Sequence, residues 1–470
     1  MRIREDESGQ MLVMTALSLT ILLGFVALAV DVGLLFRAQR NVQIAADAAA
    51  IAAALNYQYS SGINYNPVNA ADAAAAQNGI TNASYVTVNN GPLNGYHLGT
   101  GYWEVIISQP NPTYFMKVFG FNTLNVAARS VAGTVPSPAC IYVLDPTDPN
   151  TLILQGNTTI QTPNCGIQVN SNSPSAVCVT GGSSYVNAPY IQTVGGQSGA
   201  GNCKGTPSGT TITSGASPMQ DPLFNLLPPG QIGPTTYPPV YPGPPPSSVC
   251  GSGNTWGGTS VTPSTVLPPP NTFTPVLGGN SVGIICFSSP GVLLDGKTAG
   301  TLNLGTGTTD PSTGLITGNN VVYLFENGVT LQGTVNVYAT MDNYQGTFQQ
   351  GNTALSVYAP AGLTYPYNGI GIMQPESNTT GQCSSSGGGT TPCLQIQFGS
   401  SGNGTPLGNL DGLIYAPDSE VYMQDNGGGS VVTGIIAYTL FEKSSTLNVT
   451  SSYNTAHPST TPLSTVAMVE

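Results

Sequence analysis

The sequence is poor in charge. Only 6% of its 470 residues are Asp, Glu, Lys or Arg, against roughly 25% in an average soluble domain, so Ser, Thr, Asn, Gln and Gly must cover the surface. Basic residues are the scarcest: Lys and Arg number 9 against 21 acids, a formal net charge of -12. That balance removes the electrostatic footprint needed to hold a polyphosphate and excludes nucleic-acid binding. Histidine is nearly absent. His97 and His457 are the two present, neither beside a cysteine cluster, so no zinc pattern can be assembled. There is no Cys-x-x-Cys pair, no Gly-x-Ser-x-Gly elbow and no phosphate loop.

Abundant instead are Gly (59) and Pro (38), together with eight cysteines: Cys140, Cys165, Cys178, Cys203, Cys250, Cys286, Cys383 and Cys393. All eight lie beyond residue 130 in a loop-rich region, and an even number in that setting points to an oxidising compartment and disulfides. Sequence does not fix the connectivity. Pairing neighbours, Cys140/Cys165, Cys178/Cys203, Cys250/Cys286 and Cys383/Cys393, is the simplest arrangement.

The basic residues near the start, Arg2, Arg4, Arg37 and Arg40, flank an apolar stretch, a distribution compatible with export of the rest of the chain. Met11 to Val30 carries no charge; about 20 helical residues at about 1.5 Å each match a bilayer core of about 30 Å. A cleavable secretory signal is the competing reading, since Ala27-Leu28-Ala29 has the small-x-small form of a cleavage site. Past Asp31 the residues Leu34, Leu35, Ala38, Val42, Ala45, Ala46, Ala49 and Ala53 recur at steps of three and four. The helix therefore continues with one narrow apolar face, on which alanine supplies both helix propensity and close approach. Asp31 at the membrane edge and Asp47 within the alanine face are either solvated carboxylates or sites for a partner's cation.

The stretch GQMLVMTALSLTILLGFVALAVDVGLLF, with its Gly-Gln start and AVDVG exit, together with QIAADAAAIAAA, resembles the TadE/TadG-like proteins of the Flp (Tad) pilus-assembly system. The resemblance implies a single-pass anchor in the inner membrane, the remainder of the chain periplasmic or extracellular, and other Tad/Flp assembly proteins as partners in pilus assembly or surface adhesion. No cofactor and no catalysis are expected, because the residues fill no set of catalytic roles. Pilin-like members are cut after a glycine, with an acid five residues into the mature chain; Gly9-Gln10 fits the cut, but the fifth residue here is Met14. Gly9, Gln10, Asp31, Gly33 and Asp47 are thus the candidate anchor and helix-packing residues.

Three regions emerge from the pattern: an anchor and its helical extension over 1–55, a small α+β unit over 56–135, and an all-β domain over 136–460. In the second, NAADAAAAQNG reads as a short helix ended by Gly79, and SYVTVNN, YWEVIISQP and TLNVAARSVAGTV read as strands. TYFMKVFG is a short helix or turn, and Trp103, Phe115 and Phe119 are the expected core. In the third, short strands rich in Val, Ile and Leu alternate with Gly, Asn, Ser and Thr, and LQG and YAP each recur. Such recurrence favours a right-handed parallel β-helix (solenoid) over a β-sandwich. A proline-rich insertion is placed at about 217–275, and its stretch SPMQDPLFNLLPPGQIGPTTYPPVYPGPPPSSVC cannot hold a ladder of backbone donors and is expected to form a loop or strap over the surface. ACIYVLDPTDPN, DPLFNLLPP and LDGLIYAPDSEVYMQDN also look like the β-rich part of some TadG-like proteins.

Catalytic chemistry is hard to assemble. The strand and acid of CIYVLDPTDPN suit a von Willebrand factor A metal site, but Thr147 and Pro149 stand at its hydroxyl positions and proline cannot coordinate. The densest acids, Asp411, Asp418, Glu420 and Asp425, have no basic residue near them in sequence before Lys443. The alternative function is therefore a secreted β-helix that binds or cleaves surface polysaccharide with these acids.

Overall fold

The computed structural model describes residues 8–59, 66–96, 98–99, 101–136, 139–197, 203, 205–223, 226, 229, 249–273, 282–309, 316–360, 367–374, 393–398, 409–425, 430–444, 446–449 and 464–470. They divide into two compact units, one of Met1–Val135 with Thr465–Glu470 and one of Pro136–Ser464.

The first unit begins with helix α1, Ser8–Tyr59, 52 residues long. Its two halves have different surroundings. Apolar side chains from Met11 to Phe25 are open to the surface, whereas Val42, Ala45, Ala46, Ala49, Ala50, Ala53 and Ala54 are buried. The alanine face lies against Ala71 and Ala75 of α2, Pro67–Gln77, and against Trp103, Val105 and Ile107. Small side chains allow that approach, and the larger partners supply about 1.5–3 kcal/mol each on full burial. Helix α2 starts two residues earlier than the alanine run suggests. Pro67 stands at its first position and the Asn66 side chain accepts from the Asn69 N–H at 3.0 Å, a start that needs no donor from proline. It ends before Gly79, whose φ of +93° a side chain would oppose.

Strands β1 (Val86–Asn90), β2 (Tyr102–Pro112) and β3 (Thr123–Pro136) form an antiparallel meander with Val86 opposite Ile107 and Tyr102 opposite Gly133. A fourth strand, Ser464–Met468, lies beside β3 at the edge of the sheet. Trp103 is in the core as expected, but Phe115 and Phe119 are not. Both are exposed, on and beside a 3-10 turn (Met116–Phe119) that projects from the β2–β3 connection.

The second unit is β-rich, and its main sheet is almost wholly parallel; among the described residues Asn271–Phe273 against Val282–Phe287 is the antiparallel exception. Pairings among the described residues fall into three files. One runs through the strands containing Ile212, Ile191, Ile167, Ile141, Ile435, Ile414 and Ile372, in which each isoleucine is the register partner of the next. All seven are buried, so β-branched side chains stack into one continuous stripe of core. The sequence order is broken at one place: Ile141, from the first strand of the unit, pairs with Ile435 on one side and Ile167 on the other. The strands after residue 250 therefore extend the sheet on the opposite side from those of 166–213.

Part of the proline-rich insertion crosses these strands. Ser217 O and Met219 meet the side chains of Gln168 and Asn170, the Tyr415 hydroxyl donates to Asp221 Oδ2 at 2.9 Å and to Leu223 O at 3.2 Å, and Cys250 is disulfide-bonded to Cys286. Two further disulfides, Cys140–Cys165 and Cys178–Cys203, each join residues 25 apart in sequence; on the chain-entropy model a loop of that size contributes about 3.5 kcal/mol. The side chains of Cys383 and Cys393 lie outside the described residues. The structure thus establishes a long apolar N-terminal helix and a β-rich remainder with an extensive parallel sheet; the right-handed solenoid expected from the sequence goes beyond that.

Candidate functional site

Asp31 lies on α1 between the exposed apolar run and the packed half, whose buried face begins at Val42. It is buried, at 1% exposure, and it makes three hydrogen bonds that sequence spacing could not have shown. Its Oδ1 accepts from the Tyr114 N–H at 2.9 Å, and its Oδ2 accepts from the N–H groups of Phe115 at 2.8 Å and Met116 at 2.6 Å. A carboxylate in that position satisfies the donors left free at the start of the 3-10 turn with charge-assisted bonds. Gly120 closes the turn in the left-handed region at φ +89°, giving its N–H to Lys117 O. The turn is thus clamped to the helix at its first residues, and the helix enters its folded unit at a fixed height.

Residues 9–56 match the model of the Tad family, described as Flp pilus-assembly TadE/G-like. The match covers the whole of the apolar run, Asp31 and the alanine face. No curated protein and no solved structure matches the chain.

Within the Tad segment the remaining candidate residues have separate surroundings. Gly9 and Gln10 lie in the first turn of α1, with side chains outside the described set. Gly33 is exposed, and a Cβ there would touch nothing. Asp47 is half-buried and accepts from Gln43 Nε2 at 2.7 Å, one helical turn away. The alanine face is covered by the chain's own α2 and β2.

A second polar group in the same unit carries no signal in the sequence. Glu104 is buried in β2, where its carboxylate accepts from Arg129 Nε at 2.5 Å, Asn89 Nδ2 at 2.8 Å and the Leu93 N–H at 3.3 Å. Arg129 also reaches Glu470 at 2.9 Å and donates to Asn94 O. Burial works against the Glu104 charge, but the Arg129, Asn89 and Leu93 donors outweigh it and hold the carboxyl below its ordinary value. The network gives both carboxylate oxygens of Glu104 a partner, which is the arrangement of a structural ion cluster.

The acids considered for polysaccharide chemistry all belong to one strand, Asn409–Asp425. Asp411 is opposite Tyr358 and Glu420 opposite both Cys393 and Thr439, while Asp418 sits in the irregular stretch between Ala416 and Glu420. Asp411 is separated from Asp418 and Glu420 along the strand, and the side chain of Asp425 lies outside the described residues. Asp145 acts locally. Its Oδ1 accepts from the N–H groups of Thr147 and Asp148 at 2.8 and 2.9 Å, shaping the turn. Cys250, Cys286 and Glu326 lie close enough to hold a metal, but the two sulfurs are joined as a disulfide and no thiolate remains to bind one.

Proposed function

We propose that the protein is a membrane-anchored, non-catalytic structural component of Flp/Tad pilus assembly, with residues 11–30 in the inner membrane and the two folded units outside the cytoplasm. The observation that carries the reading is the division of α1 into an exposed apolar half and a packed half. An uncharged exposed run long enough to cross a bilayer leads without a break into a buried alanine face, inside the segment that matches the Tad model. A cleaved signal would separate those halves, whereas an anchor uses both.

The β-rich unit is proposed to be a right-handed parallel β-helix. Supporting this are the three files of parallel strands, the register-matched isoleucines and the recurrent LQG and YAP phrases. Uncharged polar side chains on such a body keep it soluble without a charged surface, which accounts for the low charge count. Its role would be that of a rigid spacer or adhesive face. The disulfides and the acidic balance suit an oxidising, extracytoplasmic setting.

Purification of the full chain from native membranes in mild detergent tests the reading. Expected is a product retaining residues 9–56, released only by detergent and accompanied by pilus-assembly components. A soluble mature product beginning near Val30, or a membrane product that brings down no assembly component, would overturn it.

A further inference from the structure

The 3-10 turn clamped by Asp31 has an unusual surface. Val118 and Phe119 are 84% and 81% exposed, and Tyr114, Phe115 and Phe121 are open as well. Lone exposed apolar residues need no explanation, but a run of them this close together forms a patch. The patch is not separate from α1. A groove of about 410 Å³ runs between the turn, at Phe115, Val118 and Phe119, and the helix, at Ile21, Phe25 and Leu28. Ile21 stands before Asp31 by about 15 Å along the helix axis. The turn therefore reaches back from its clamp along the apolar run instead of away from it.

Most of its backbone amides also have an acceptor within the protein. The N–H groups of Tyr114, Phe115 and Met116 go to Asp31, those of Val118 and Gly120 to Phe115 O and Lys117 O, and those of Thr113 and Phe121 to Asn122 O and Met116 O. A segment can enter lipid only when its amides are satisfied internally. The one charge between Thr113 and Asn122 is Lys117, a cation whose long stem lets the ammonium reach a headgroup from an apolar setting.

We propose that the turn Tyr114–Phe121 is a second membrane contact, inserted into the lipid leaflet into which α1 emerges, with acyl chains filling the groove between Phe119 and the helix. The occupant is lipid because the groove continues the exposed apolar face of the segment read as the anchor, and the inference rests on that reading. Two contact points, one spanning and one wedged beside it, would fix the tilt and rotation of the first unit against the membrane, where a lone helix leaves both free.

The test uses the intact chain reconstituted alone in nanodiscs of phosphatidylcholine and phosphatidylglycerol carrying an acyl-chain diazirine. Labelled peptides are mapped after illumination. Labelling of both 11–30 and 114–121 is expected. Labelling of 11–30 alone overturns the inference and leaves the anchor standing, whereas labelling of neither overturns both. A Phe119→Trp variant gives an independent readout: its added emission should be quenched by lipids brominated on the acyl chain and not by aqueous iodide. The reverse pattern, or a crosslink from the turn to another protein's helix in native membranes, would sink the proposal.

Discussion

At the scale of single residues, Glu104 and Arg129 show how little charge this fold needs and how fully it uses it. Removing Arg129 would strand a buried carboxylate, which costs about 3–5 kcal/mol when both partners are deeply buried. The guanidinium is 34% exposed, so solvent screens part of that loss. Arg129→Met is therefore expected to cost the first unit about 2 kcal/mol, read as a lower urea midpoint at neutral pH. The pH dependence has a definite sign. Because Glu104 is held below the ordinary glutamate value of about 4.3, its contribution is complete above that value and lost as pH falls through the lower folded value. Arg129→Met should flatten this acid limb, and a variant with the parent's acid slope would show that the donors from Asn89 and Leu93 suffice. Nothing local in the sequence announces the pair: Glu104 and Arg129 stand 25 positions apart and meet only because β2 and β3 are adjacent. Asp31 is legible as an unusual acid at the end of an apolar run, but its partners lie 83 to 85 positions away, and no local pattern reveals a turn that needs a cap.

At the scale of elements, the legible features are those with a short period or a strong breaker. The alanine face of α1 and the three strands of the first unit declare themselves within a short stretch of chain, whereas Thr255–Trp256, Ser260–Val261 and Asn271–Phe273 are short paired strands within the span expected to be a proline-rich insertion. Phe115 and Phe119 depart from expectation because an aromatic residue in a soluble unit is ordinarily core, and that rule fails where the neighbouring surface is itself apolar. The position of the first strand of the second unit, between Ile435 and Ile167, is invisible in the sequence because parallel pairing leaves no signature of which distant strand will be the partner. The described start of the proline-rich insertion is held by the contact of Asp221 and Leu223 with Tyr415. Asp221 is half-buried as a residue, yet its carboxyl turns inward; burial pushes it up to about 6, against the opposing hydrogen bonds from Leu223 and Tyr415 and with help from the charge of Asp418. A raised acid reverses the usual sign. The folded state favours the protonated form, so this contact is strongest at acid pH and weakens as pH rises through about 6. Amide exchange at Leu223 should accordingly be slower well below that value than well above it, after correction for intrinsic rates, and Asp221→Asn should abolish the difference. Equal pH dependence in the variant would assign the effect to another group.

At the scale of the whole molecule, the second unit is an insertion into the first. The chain leaves the small sheet after β3 and returns to it with Ser464–Met468, where Val131 and residues 469 and 470 exchange backbone hydrogen bonds and Glu470 joins Arg129. The first unit is thus incomplete without residues 465–470, while the second closes its own ladders through the pairing of residues 430–449 with 139–161. Each unit has its own buried cluster, so their stabilities should be separable. Deleting residues 465–470 removes an edge strand, the packing of Val466 and one of the two carboxylates on Arg129, and leaves untouched every described pairing of the parallel sheet. Hydrogen exchange on the detergent-solubilised chain should then show protection falling across residues 86–135 and unchanged across 139–197 and 430–449. A loss of protection in both units would mean that they fold as one cooperative body, whereas a loss in neither would mean that the meander of β1 to β3 with α1 and α2 is sufficient without its fourth strand. The loss is expected to stay within the first unit because an edge strand supports the sheet it borders, and among the described residues Ser464–Met468 borders the small sheet alone.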